Sequence, residues 1–207
     1  GKCGAEVADI IDGMRWAAGL PVAGVPPNPN PARILNLSLG GAGSCASVYA
    51  NAITELTAAG ILVVASAGND SGPVESPANC AGVLAVGGLR HVGTKVGYSS
   101  LGPEISVSAP AGNCPSTPLL CEYSLITATN PGPTVPTTST YTDDTNDNSN
   151  IGTSFSAPIV AATAALMYGV NDALTPAEFI ARIKSGSRPF PPAHRHDADT
   201  QRTAQAG

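Results

Sequence analysis

Apolar residues in this chain recur in two kinds of pattern. In the segment 6–18 they return every three or four positions, which predicts an amphipathic helix, and a second helix is predicted over 47–59. Four other segments are short, nearly continuous apolar runs, typical of strands buried on both faces of a parallel sheet. These runs are 34–39, 61–66, 83–87 and 105–109. Strand, helix and strand in this order predict an α/β fold with a mainly parallel central sheet.

The C-terminal half departs from this alternation. The segment 112–150 is dense in Thr, Pro, Asn and Asp, which predicts a long exposed insertion. An Ala-rich helix, apolar nearly all round and therefore expected to be buried, is predicted over 153–168, with a shorter helix over 176–185. From 188 onwards the chain is polar and without periodicity. We therefore divide it into a domain, 1–187, that contains the insertion and a tail, 188–207, in which terminal mobility is expected.

Charge and the lengths of the apolar stretches argue against two classes of protein. Of the 207 residues, 43% are hydrophobic, which is enough for a core, and the net charge is −5 without any basic run. A nucleic-acid partner is not expected from such a chain. No apolar stretch runs for about 18 residues without interruption by Gly, Pro or Thr, so no membrane span is expected either.

The cysteines are Cys3, Cys45, Cys80, Cys114 and Cys121. None forms a Cys-x-x-Cys pair and no histidine stands at metal-ligand spacing from them, so disulfides in an oxidising compartment are the expected use. Sequence alone does not determine which cysteines pair. The pairing that we expect joins Cys3 to Cys45 and Cys114 to Cys121, and it leaves Cys80 for a cysteine outside this segment.

Three short motifs lie at the ends of two predicted strands and at the start of a predicted helix. They are 36–41 (NLSLGG), 65–69 (ASAGN) and 152–158 (GTSFSAP). In this order they resemble the subtilisin-like serine peptidases of the S8 family, over roughly residues 5–185. The resemblance implies a three-layer α/β fold with an incomplete N-terminal part. It identifies 1–187 as the C-terminal part of a catalytic domain, similar to secreted bacterial members.

Ser154 is the predicted nucleophile. A serine hydroxyl reacts poorly unless a neighbouring base takes its proton, and it needs an exposed, fixed position. Gly152 permits a sharp turn, and Ser154 then lies in the first turn of a helix, where free backbone N–H groups favour negative charge. The alternative is an ordinary serine at a helix start. The resemblance favours the nucleophile.

The resemblance also implies an oxyanion site and a substrate pocket. It gives the side-chain amide of Asn69 and the backbone N–H of Ser154 the task of binding the oxyanion. One wall of the pocket is implied at Ser38, Leu39, Gly40 and Gly41, and the opposite wall at Ser66, Ala67 and Gly68. Glycine in such walls lets a substrate backbone approach closely. The alternatives are a turn asparagine and a strand that ends in a Gly-Gly turn.

Two members of the implied catalytic triad are missing. The family needs a histidine base and an aspartate that orients it, and the resemblance implies that both lie upstream of these motifs. His91, His194 and His196 are not assigned to the triad. Either an N-terminal fragment that carries the pair is held as a separate partner chain, or the segment is an inactive truncated piece.

The resulting expectation is a secreted serine endopeptidase that hydrolyses extracellular proteins. The alternative is a non-catalytic, subtilase-like domain that binds peptides. No cofactor is expected for catalysis. A structural calcium ion is a candidate, because secreted members of the family often bind calcium and the segment 143–147 offers carboxylate and amide oxygens. A solvated acidic loop is the alternative interpretation of the same residues.

Overall fold

Four parallel strands form the central sheet of the computed structural model, which describes residues 4–113, 123–143 and 150–191. The strands are β1 (Ile34–Leu37), β2 (Leu62–Ser66), β3 (Val83–Leu89) and β4 (Ile105–Pro110). They lie side by side in the order β1-β2-β3-β4, which is also their order along the chain. All four predicted strands are therefore confirmed, and so is the parallel sheet.

Helices cover both faces of this sheet. On one face, α1 (Val7–Ala17) and α2 (Ser47–Ala58) share a core with the side chains of one face of β1 and β2. On the other face, α3 (Thr153–Val170) and α4 (Pro176–Gly186) pack against the alternate side chains. Because both faces are covered, every residue of β2 is buried, which explains its unbroken apolar sequence. The predicted three-layer α/β fold is confirmed.

Most described residues of the predicted insertion are exposed or partly exposed, although Asn113 and Asn150 at its two ends are buried. The insertion contains two short antiparallel strands, β5 (Thr127–Thr129) and β6 (Thr140–Thr142), which form a separate two-stranded sheet. Ile126 is 76% exposed, Val135 64% and Tyr141 77%, so these apolar side chains add little to the core. The boundaries proposed for the domain, the insertion and the tail remain predictions.

The outer face of α3 differs from expectation. The sheet-facing side chains, such as Ala157 and Ala164, are fully buried, but Leu166 is 76% exposed and Val170 90%. The prediction that this helix is buried all round is therefore wrong for its outer face, because no described element covers it. By length and composition alone, with a mean hydropathy of 1.3, α3 is long and apolar enough to cross a membrane. Buried core helices of soluble proteins meet the same two criteria, so this is weak evidence for a membrane span.

The pairing expected for Cys45 and Cys80 is wrong. Cys45 forms a disulfide with Cys80, across a sequence separation of 35 residues. The turn before α2 and the turn before β3 adjoin, and Asn79 Nδ2 donates a hydrogen bond to Gly43 O at 2.8 Å across them. Cys45 is therefore not bonded to Cys3, and Cys80 does not pair with a cysteine outside this chain. The pair expected between residues 114 and 121 lies outside the described residues.

Candidate active site

The three motifs meet at one edge of the sheet. Parallel strands present their carboxyl ends at the same edge, and the motifs 36–41 and 65–69 follow β1 and β2 there. The register pairs Leu37 with Ala65, so that both motifs leave the sheet at the same level. The helix α3 begins beside them, because Ser38 Oγ donates a hydrogen bond to Ser154 O at 2.7 Å. The predicted nucleophile, oxyanion donor and pocket walls therefore adjoin.

The turn that presents Ser154 depends on glycine. Gly152 has φ of +143°, in the region that side-chain-bearing residues rarely adopt. Its N–H donates to Ala111 O at 2.8 Å. The hydroxyl of Tyr98 donates to the same carbonyl at 2.6 Å. Burial raises the pKa of Tyr98, so its hydroxyl remains a neutral donor and holds this turn.

Ser154 lies in the first turn of α3 and is partly exposed. Its Oγ lies 3.4 Å from Ser38 O, the acceptor of a weak hydrogen bond. The backbone N–H of Ser154 has no acceptor among the described residues, as is usual in the first turn of a helix. The serine thus presents a hydroxyl and an unused backbone donor together.

Thr153 determines the orientation of the Asn69 side chain. The Thr153 N–H donates to Asn69 Oδ1 at 2.9 Å, and Thr153 Oγ1 lies 3.0 Å from the same oxygen. With the amide oxygen held in this way, Asn69 Nδ2 faces Gly152. A Cβ placed on Gly152 would stand 3.4 Å from Nδ2 and 3.7 Å from the Ser154 nitrogen. One side-chain donor, Asn69 Nδ2, and one backbone donor, the Ser154 nitrogen, therefore flank a small space that a side chain at position 152 would occupy.

Sequence reasoning missed Thr153 as a positioning residue. Its side chain is fully buried, and its Oγ1 also accepts a hydrogen bond from Gly68 N at 3.2 Å. The single sequence signal is a β-branched hydroxyl residue directly before Ser154. That signal does not reveal that its partner is Asn69, which lies 84 positions away in the sequence.

A third segment, 74–76, runs between the two predicted pocket walls. Glu75 N donates to Ala67 O at 2.9 Å, which joins the segment to the wall that follows β2. Gly41 and Ser76 exchange two backbone hydrogen bonds of 3.0 Å, which join it to the wall that follows β1. Leu39 is 39% exposed on the first wall, whereas Ser66 and Ala67 of the second wall are buried. Glu75, whose carboxylate belongs to this segment, was not among the predicted site residues.

Neither a histidine base nor a metal cluster appears in the described parts of the chain. The ring of His91 stacks on Tyr123 with centroids 3.7 Å apart, and no described hydrogen bond joins it to Ser154. The other two histidines lie outside the described residues. No group of three or more His, Cys, Asp or Glu side chains is arranged to hold a metal in the described ranges. Most of the segment 143–147 is not described, so calcium remains a prediction.

Comparison with known proteins identifies relatives of this chain. The model of the subtilase family, peptidase S8, matches residues 1–202. An extracellular protease of Xanthomonas campestris pv. campestris is 40% identical over 93% of this chain, and an extracellular basic protease of Dichelobacter nodosus is 35% identical over 86%. Among solved structures, a protease from Pseudoalteromonas arctica superposes with a TM-score of 0.82 at 38% identity over 92% of the chain.

The chain is shorter than these relatives. It spans 31% of the Xanthomonas protein, 28% of the Dichelobacter protein and 54% of the solved Pseudoalteromonas chain. The family match nevertheless extends over nearly the whole sequence. Together with the parallel three-layer fold, it shows that this chain belongs to the subtilase family of serine peptidases.

Proposed function

We propose that this chain contributes the nucleophile, the oxyanion site and the primary specificity pocket of a secreted serine endopeptidase. One observation carries the proposal. Asn69 Nδ2 and the backbone nitrogen of Ser154 lie 3.4 Å and 3.7 Å from the place where a Cβ on Gly152 would stand, so both flank the same space. Such paired donors are what a tetrahedral intermediate of acyl transfer requires.

The chemistry would proceed through an acyl-enzyme. Ser154 Oγ attacks the carbonyl carbon of the scissile peptide bond, and the carbonyl oxygen becomes an oxyanion held by Asn69 and the Ser154 N–H. The proton of Ser154 passes to a histidine and then to the leaving amine when the C–N bond breaks. We propose that this histidine and its aspartate lie in a part of the protein outside these 207 residues.

The substrate would be an extended polypeptide. The segment 38–41 follows β1, the edge strand of the four-stranded sheet, and before Gly41, which pairs with Ser76, a peptide could pair with its backbone as an added strand. The relatives named extracellular proteases support protein substrates and an extracellular location. The disulfide between Cys45 and Cys80 supports the same location, because such bonds persist in oxidising compartments.

The partner that carries the missing catalytic pair would cover the outer face of α3. This face is apolar, starts next to Ser154, and has no covering element among the described residues. An exposed apolar surface of this kind on a helix usually marks an interface with another part of a protein. We propose that the remaining half of the catalytic domain packs there, continuous in sequence or as a bound fragment.

Labelling with a fluorophosphonate tests the proposal directly. We expect one adduct on Ser154 in the natural protein that contains this chain, and none in its Ser154→Ala variant. Ser156→Ala is a suitable control, because the hydroxyl of Ser156 is buried and donates to Ala109 O at 2.9 Å. That variant should still be labelled. An unlabelled natural protein that binds peptides would instead indicate the non-catalytic alternative.

A further inference from the structure

The carboxylate of Glu75 lies between the two predicted walls of the specificity pocket. A Cβ built on Gly68 would overlap this carboxylate, and one built on Gly40 would come within 3.1 Å of Glu75 Oε2. The Cα hydrogens of two glycines, one on each wall, therefore point at the same carboxylate. A side chain at position 68 would displace it, and one at position 40 would press against it.

The backbone bonds described above keep Glu75 in this place. Its own N–H is bound to the second wall and the following residue, Ser76, is bound to the first wall. Glu75 Oε1 additionally accepts a hydrogen bond from Asn69 N at 3.3 Å. The carboxylate is thus attached to the loop that also carries the predicted oxyanion donor.

The charge of Glu75 has no cationic partner in the described ranges. The one described ion pair of the chain joins Arg15 to Glu55, on helices α1 and α2. Glu75 is partly buried, and its single described side-chain bond comes from a backbone amide. A partly desolvated carboxylate with free acceptor capacity favours a cation that reaches it.

We propose that Glu75 makes this pocket selective for a basic residue, lysine or arginine, on the acyl side of the cleaved bond (the P1 residue). The inference rests on the proposed function and specifies its substrate class. The charged end of a lysine or arginine would reach the carboxylate that lies between the glycine walls, and its aliphatic stem would lie outside the carboxylate, towards the exposed side of the pocket. A P1 aspartate or glutamate would be repelled by the same group.

The test compares peptide substrates that differ at P1 alone, with lysine, arginine, leucine, phenylalanine or glutamate. In the natural protein we expect kcat/KM for lysine and arginine to exceed that for leucine by about tenfold or more. In Glu75→Gln, which keeps an oxygen acceptor for Asn69 N, it should fall by about 10- to 100-fold for the basic substrates. The ratio of kcat/KM for the basic substrates to kcat/KM for leucine or phenylalanine should therefore fall by at least about tenfold.

Asp172→Asn is the matched control. It removes one negative charge from an exposed position just beyond the last residue of α3. The 18 residues of α3 place it about 27 Å from Ser154 at 1.5 Å per residue. This variant should keep the P1 preference, which separates a local effect of Glu75 from a change in the net charge of the protein.

Three results would overturn the inference. The natural protein could prefer leucine over both basic residues, a finding that needs no variant. Glu75→Gln could lower kcat/KM equally for every substrate, as expected if the carboxylate only positions the Asn69 loop. Asp172→Asn could reproduce the effect of Glu75→Gln.

Failure of the proposed function gives a different result. If no peptide is cleaved, that function is wrong, and the inference is then tested by binding of fluorescent peptides that end in arginine or leucine. A preference for arginine that is lost in Glu75→Gln would support the role of Glu75 in a peptide-binding domain. Equal binding of the two peptides would overturn it.

Discussion

At the scale of single residues, the contact between Thr153 and Asn69 orients the side chain that we propose binds the oxyanion. An unrestrained asparagine amide can rotate and present either its oxygen or its nitrogen. Here the backbone N–H of Thr153 holds the oxygen at 2.9 Å, so the nitrogen faces the space beside Ser154. A donor that is already oriented needs no reorganisation when charge develops on the substrate.

Asn69→Ala should therefore lower kcat by about 10²–10³ and leave KM nearly unchanged, because the oxyanion exists in the transition state and not in the bound substrate. The factor is the one found for an oxyanion-site asparagine of subtilisin itself. Steady-state kinetics on the natural protein measure it. An increase in KM at constant kcat would contradict the role, since it would indicate loss of ground-state binding.

Thr153→Val should lower kcat through Asn69. The substitution keeps the shape and the backbone N–H but removes the hydroxyl that lies 3.0 Å from Asn69 Oδ1. We expect a loss in kcat of about tenfold, the size of one hydrogen bond. In the background of Asn69→Ala the same change should have almost no effect, because the group that it orients is gone. Additive losses would show that Thr153 acts independently of Asn69.

At the scale of elements, α4 has a complete N-terminal capping box. Thr175 Oγ1 accepts a hydrogen bond from Glu178 N at 3.3 Å, and Glu178 Oε2 accepts one from Thr175 N at 2.8 Å. The helix buries Phe179 completely against the sheet core. Loss of the box should therefore loosen one of the two helices that cover this face.

Thr175→Ala should lower the free energy of unfolding by about 1 kcal/mol, the usual cost of losing a threonine cap. Urea denaturation followed by circular dichroism measures this. Ser187→Ala, at the other end of α4, is the control. Its hydroxyl donates to Lys184 O at 2.8 Å in an exposed position, so a smaller loss is expected. Equal losses would argue against a special role of the box.

Glu178 adds a pH dependence to the same element. Hydrogen bonds from the backbone and the side chain of Thr175 lower the pKa of Glu178 in the folded protein. A lowered folded pKa means that the stabilisation is present above the unfolded pKa and is lost as the pH falls through the folded one. The stability difference between the natural protein and Glu178→Gln should thus narrow in acid. A difference that widens below pH of about 4 would contradict this assignment.

At the scale of the whole molecule, the disulfide between Cys45 and Cys80 ties together two loops on one side of the sheet. It closes a loop with a sequence separation of 35 residues. Replacing both cysteines by alanine should lower the free energy of unfolding by about 3–4 kcal/mol on the chain-entropy model. Denaturation of the natural and variant proteins, both without reductant, measures the difference. A loss below about 1 kcal/mol would contradict it.

The outer face of α3 makes a second prediction at this scale. If the remaining half of the catalytic domain covers this face, Leu166→Asp places an unpaired charge in an apolar interface and should cost more than about 2 kcal/mol. Val135→Asp is the control, since Val135 is 64% exposed in the insertion and Leu166 is 76% exposed. The free energy of unfolding of each variant, compared with that of the natural protein, measures both effects. Equal, small effects would show that the α3 face is open to water.

Local pattern was sufficient for most of the elements. The predicted helix over 6–18 is observed at Val7–Ala17, and the run 83–87 is the core of β3. Such predictions succeed because a strand that is covered on both faces needs a continuous apolar run, and a helix with one wet face needs apolar residues at every third or fourth position. The motif around Ser154 could likewise be recognised, because its glycine, serine and proline lie within the seven residues 152–158.

The sequence by itself thus determined the parallel sheet, the helices on its two faces and the three motifs at its carboxyl edge. Only the tertiary structure decided which residues meet across long separations. Cys45 pairs with Cys80, Thr153 orients Asn69, and Glu75 lies between Gly40 and Gly68. The physical reason is that the spacing of apolar residues shows which side chains are buried. A contact between residues far apart in the sequence depends instead on where the loops that carry them leave the sheet.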